Sequence, residues 1–215
     1  MDRRQALKSI GMGAGFLVAT PTIMSLLQSC TSEPEFNPVF LSKGEGHALR
    51  RMVDLIIPDD EAVPGANKVG VHAFIDAFWN ECMEEDDQTH VRNAWAVFTD
   101  QFKTTFEKEE LEKGKPEEFD QLLAKYLKTD EETQMGYGRK IGEYYQAFDS
   151  DPTVKPDTDA AMFSLMANIR GMSMWAWKAS EEIGKNVLWY DPVPGMQNGC
   201  ITLGEAGNNG NAMAL

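Results

Sequence analysis

Positive charge is scarce in this chain: 20 Lys and Arg stand against 34 Asp and Glu over 215 residues, for a formal charge of −14. So acidic a surface is repelled by nucleic-acid phosphates and anionic lipid headgroups, which argues against both as partners. Histidine is rarer still, and His47, His72 and His90 fall in different segments with no second ligand at helical spacing. Each reads as a solvated or hydrogen-bonded histidine rather than a metal ligand. HExxH, GxSxG and CxxCH are absent, which removes the common sequence routes to zinc, acyl and covalently attached c-type haem chemistry. GxGxxG is absent too: GMGAG at Gly11 to Gly15 follows no strand, and GYGRKIG at Gly136 to Gly142 has the wrong glycine spacing for a dinucleotide loop. The acidic stretch Asp149 to Asp159 fails as a calcium loop. Val154 stands where an EF-hand needs Gly, and Ala160 where it needs a bidentate Glu. These gaps leave neither a catalytic constellation nor a cofactor or metal site in the chain.

Long apolar runs are missing as well. The run from Ile10 to about Leu27 is diluted by Gly11, Gly13, Gly15, Pro21 and flanking threonines, whereas a membrane span needs roughly 20 strongly apolar residues. Preceded by Arg3 and Arg4, it reads as an export signal, and its weak hydrophobicity points to the twin-arginine route, which carries folded cargo. Leu27-Gln28-Ser29-Cys30 resembles a lipoprotein box, in which Cys30 would be acylated and become the first mature residue. Residues 30–40, polar and proline-containing, suit a tether. The expected location is the periplasm or cell envelope, with a lipid anchor. Removing residues 1–29 deletes Arg3, Arg4, Lys8 and Asp2 and takes the formal charge to −16, leaving 186 residues, enough for one domain with a core.

No stretch alternates long enough for a sheet, and no repeat period is present. The fold expected is all-α: a single irregular bundle of about six helices over residues 41–203, with a flexible tail at 204–215. Ser42 and Glu45 have capping-box spacing before a helix that runs to Pro58. A second helix should span Val71 to Met83, with Phe74, Ile75, Phe78 and Cys82 inward and Asp76, Asn80 and Glu81 outward. The third carries an aromatic stripe through Trp95, Phe98, Phe102 and Phe106 that reads as core. Pro116 opens a fourth helix, residues 130–148 form a fifth despite three glycines, and the last runs from Asp157 or Thr158 towards EEIG. That last helix bears more bulky apolar groups than one amphipathic face requires. Trp175 and Trp177, with Trp189 and Tyr190 just beyond, are therefore candidates to meet a partner.

The chain then ends in YDPVPGMQNGC, residues 190–200, whose prolines and glycines exclude a helix and make a stiff strap. With Cys30 acylated, Cys82 and Cys200 remain in an oxidising compartment. A disulfide between them would pin the strap across the bundle, and two unpaired thiols are the alternative.

LSKGEGHALRRMVDLIIP with PGA shortly after, GVHAFIDAFWNEC, and EEIGKNVLWYDPVPGMQNGC resemble the gluconate 2-dehydrogenase subunit 3 family, as does the signal. The resemblance covers about residues 41–83 and 163–203. It implies a non-catalytic small subunit of a membrane-associated dehydrogenase of sugars or sugar acids. In such complexes FAD sits in a large flavoprotein subunit of the glucose-methanol-choline type, and haem in a c-type cytochrome subunit. The small subunit often supplies the twin-arginine signal for a flavoprotein that has none. The reading from a different class is a stand-alone envelope lipoprotein acting as a binding or scaffold module.

Overall fold

The computed structural model describes residues 36–188, 200, 202, 204 and 205 of the chain. The signal with Arg3 and Arg4, the lipidation candidate Cys30, and Trp189, Tyr190 and the rest of the strap before Cys200 lie outside the described residues.

Seven α-helices, and no strands, occur among the described residues. Helix α1, Lys43–Ile56, starts where the Ser42 hydroxyl accepts from the Glu45 N–H and the Glu45 carboxylate accepts from the Ser42 N–H. This capping box satisfies donors that a helix start leaves open. Ahead of Pro58 the helix stops, because proline disfavours helical backbone in the residue before it. The following loop is turned by aspartates: Asp60 accepts from the N–H groups of Ala62 and Val63, and Asp59 from that of Gly65. Gly70, at φ 77°, then makes the left-handed entry to α2, Val71–Glu81.

Helix α3, Glu85–Phe106, has Glu85, Asp86 and Asp87 in its first turn, where carboxylates favour the helix dipole. Its stripe is core through Trp95, Phe98 and Phe102, which are buried, while Phe106 is partly buried at its end; the Phe102 ring stacks on Phe119 at 4.6 Å. Pro116 opens α4, Pro116–Leu127, and Asp130 caps α5, Glu131–Phe148, by accepting from the Thr133 N–H at 2.9 Å. Gly136, Gly138 and Gly142 do not break α5, whose buried anchors are Tyr144 and Phe148.

Helix α6, Thr158–Ala179, capped by Asp157, is the central element and touches α1 through α5. Its inner face is buried through Ala161, Met162, Leu165, Met166, Ile169 and Ala176. The expected continuous run towards EEIG is instead broken at Ser180. That residue turns extended, its hydroxyl donates to the Trp177 carbonyl, and α7, Glu181–Asn186, begins anew. Among the described residues no helix is long and apolar enough to cross a membrane.

Helix α2 is rotated relative to expectation. Val71, His72, Ile75, Asp76 and Trp79 are its buried residues, while Phe74 is exposed and Cys82 is a solvent-exposed C-cap. Asp76 faces inward because the chain ahead of α1 supplies the donors its carboxylate needs. With that face drawn in, the Phe74, Phe78 and Cys82 face turns out. Cys82 and Cys200 are both free and exposed, and no disulfide joins them.

Candidate functional site

Asp76 is 2% exposed, and its two carboxylate oxygens accept from the N–H groups of Val39 at 2.6 Å, Phe40 at 3.1 Å and Leu41 at 2.9 Å. Burial of a carboxylate is tolerable only with such satisfaction. Arg92 completes the anchor. Its guanidinium lies 4.1 Å above the Phe40 ring and donates to the Phe40 carbonyl at 3.3 Å, and the Trp79 ring is tilted against the same ring at 6.0 Å. The end of the segment expected to be a tether, Val39 and Phe40, is thereby fixed with Leu41 to α2 and α3. The sequence signal for this anchor was Asp76 itself, set between Ile75 and Trp79 in an otherwise apolar stretch.

The outer face of α2 meets α6. Phe74 and Phe78 lie edge-on to Trp175, with ring centroids 5.3 and 5.6 Å away. Trp175 is 50% exposed, Phe74 41% and Met174 46%, so the aromatic group is packed at its base and open above. Trp177, the other candidate from α6, belongs elsewhere. It packs against the core, and its indole N–H donates to the Pro64 carbonyl at 2.9 Å, which ties α6 to the α1–α2 loop.

Towards the start of α6 lies a half-open cleft of about 90 Å³, lined among others by Met83, Asp87, His90, Tyr145, Ser164 and Asn168. His90 is held by aromatic rings, Tyr145 at 4.3 Å and Phe148 at 4.6 Å, and its Nδ1 is 3.2 Å from the Tyr144 hydroxyl. That hydroxyl also accepts from Asn93 at 2.9 Å. Burial holds the Tyr145 phenol above the ordinary tyrosine range, against a hydrogen bond from Ser164. At about 90 Å³ the cleft is small for an organic substrate.

The three histidines stay apart. His47 sits against Phe119, His72 is buried on α2, and His90 is in the cleft. No group of three His, Cys, Asp or Glu side chains suited to a metal occurs among the described residues. Of the four aromatic candidates for partner contact, Trp175 is placed on an open face, Trp177 is not, and Trp189 and Tyr190 lie outside the described residues. Sequence periodicity missed Phe74 as an exposed member of that face.

The family model described as gluconate 2-dehydrogenase subunit 3 matches residues 43–195, from the start of α1 into the strap. No curated protein and no solved structure matches the chain.

Proposed function

Because the chain belongs to the gluconate 2-dehydrogenase subunit 3 family, we propose that it is the non-catalytic small subunit of a flavin-dependent dehydrogenase of sugars or sugar acids that faces the periplasm. The large subunit carries FAD and oxidises the substrate, and a c-type cytochrome subunit takes the electrons. This chain escorts the large subunit through twin-arginine export, is held at the envelope by a lipid on Cys30, and stabilises the assembled complex.

The observation that carries the reading is the open aromatic group of Phe74, Phe78 and Trp175, backed by a domain in which the remaining large aromatics are mostly buried. Half-exposed aromatics on a rigid helical platform are what protein interfaces use as anchors. The sequence carries no nucleotide loop and no haem-attachment motif, which supports a reading with the redox groups in the partners.

The test is a spectrum and a separation. The chain purified alone should show no flavin or haem absorbance and no dehydrogenase activity, and the tagged chain isolated from the envelope should bring the flavoprotein with it in stoichiometric amount. A stoichiometric visible chromophore in the isolated chain would overturn the non-catalytic assignment.

A further inference from the structure

Ser164, Asn168, Gly171 and Trp175 follow one another at spacings of four, three and four, so they share one face of α6. Helices α2 and α6 run antiparallel there. Phe74 and Phe78 touch Trp175, while Met83, just past the end of α2, lines the His90 cleft with Ser164 and Asn168. The aromatic group and the cleft are thus two ends of one surface, about 16 Å apart at about 1.5 Å of rise per residue. Gly171 lies between them, exposed, and a Cβ added there would meet nothing within 4 Å. Its missing side chain leaves the middle of this surface low.

The rim at the cleft end is acidic. No lysine or arginine occurs between Lys68 and Arg92, and in that interval Glu81, Glu84, Glu85, Asp86 and Asp87 are exposed. None of the five makes an ion pair among the described residues. Lys178 stands one turn beyond Trp175, at the far end.

We propose that this face of α6, from Trp175 across Gly171 to the His90 cleft, is a docking groove for a segment of the dehydrogenase large subunit that presents apolar side chains flanked by lysine or arginine. The inference rests on the small-subunit reading and specifies the partner's chemistry. Charge selects the occupant: a second copy of this chain would bring a net charge of −14 or more against the same acidic rim, and an anionic membrane would be repelled likewise. A basic-flanked apolar segment would be attracted over a Debye length and anchored by Trp175.

The binding kinetics of the mature chain to the co-expressed flavin-bearing subunit test this. The on-rate should fall at least about tenfold between roughly 0.05 and 0.5 M salt. In the triple variant Glu84→Lys, Glu85→Lys, Asp86→Lys it should be about tenfold lower at low salt and nearly independent of salt. Gly171→Trp should weaken binding at least about tenfold, while Gly171→Ala binds as the parent does. Every residue but proline is a better helix former than glycine and a Cβ at Gly171 meets nothing within 4 Å, so both should keep the fold, which an unchanged far-UV circular dichroism spectrum and thermal midpoint check. If the parent chain does not bind the flavoprotein at all, the small-subunit reading fails. If it binds, but the Gly171→Trp and charge-reversed variants bind equally well, the groove is refuted and that reading survives. Self-association abolished by Gly171→Trp would assign the groove to a second copy. A Cys82–Cys200 bond mapped in the exported protein would lay the chain's own C-terminal segment over the face. Either outcome overturns the proposal.

Discussion

Replacing Asp76 with Asn changes little volume and removes the charge that holds the segment before α1. In the parent, three backbone donors at 2.6, 3.1 and 2.9 Å share the two carboxylate oxygens. Asparagine offers one acceptor oxygen and turns an NH2 group towards at least one of those donors. One buried donor left unsatisfied costs about 1–3 kcal/mol, and the surviving bonds lose their charge assistance, worth about 1 kcal/mol more. The sum, about 3 kcal/mol, has a ceiling. The segment can instead detach and hydrate its amides, at the expense of the burial of Phe40 and Leu41 and of the Arg92 contact. For a domain of this size about 3 kcal/mol lowers the thermal midpoint by roughly 6–12 °C. Thermal unfolding followed by far-UV circular dichroism measures it. Hydrogen exchange gives the second reading, since the amides of residues 39–41 should lose protection before the α6 core does. A midpoint within about 2 °C of the parent, with those amides still protected, would refute the anchor.

Trp175→Ala should cost less than about 1 kcal/mol of stability, because the ring is half exposed, whereas Trp79→Ala should cost about 3–5 kcal/mol; chemical denaturation of both variants checks the contrast. Gly138→Ala, in an exposed position of α5 with nothing near the added methyl, should raise stability by about 0.5–1 kcal/mol, read as a higher denaturation midpoint. Burial, helped by nearby Arg51, holds the pKa of His47 below 6.5 in the folded chain. The unfolded chain therefore takes up the proton first. The stability this group contributes is present above pH 6.5 and is lost as pH falls through the folded value. In His47→Gln the corresponding decline just under pH 6.5 should be absent from the stability profile.

Local signals carried most of the helices into view. The Ser42–Glu45 box, Pro116 and the Trp95, Phe98, Phe102 stripe act within one or two turns and need no distant partner. The Ser180 break was also local: a serine followed by Glu181 and Glu182 is a helix start, and the continuous apolar pattern across it hid the signal. The orientation of α2 was not legible, because VHAFIDAFWNEC has large apolar groups on two faces and hydrophobicity alone does not choose between them. Asp76 chooses, and it does so through amides 35 to 37 positions earlier in the chain. The open aromatic face inherits that dependence: Phe74 is exposed because Asp76 is buried. The cleft is similarly non-local, since His90 meets Tyr144 across 54 positions.

Export separates an escort from a lipoprotein that travels alone. With Arg3 and Arg4 both replaced by lysine, the distribution of the dehydrogenase large subunit between cytoplasm and periplasm should be measured by fractionation, alongside that of this chain. An escort strands its partner, so both proteins should remain in the cytoplasm and periplasmic dehydrogenase activity should disappear. A large subunit that still reaches the periplasm while this chain stays behind would contradict the account and leave the chain as a lipoprotein exported for itself.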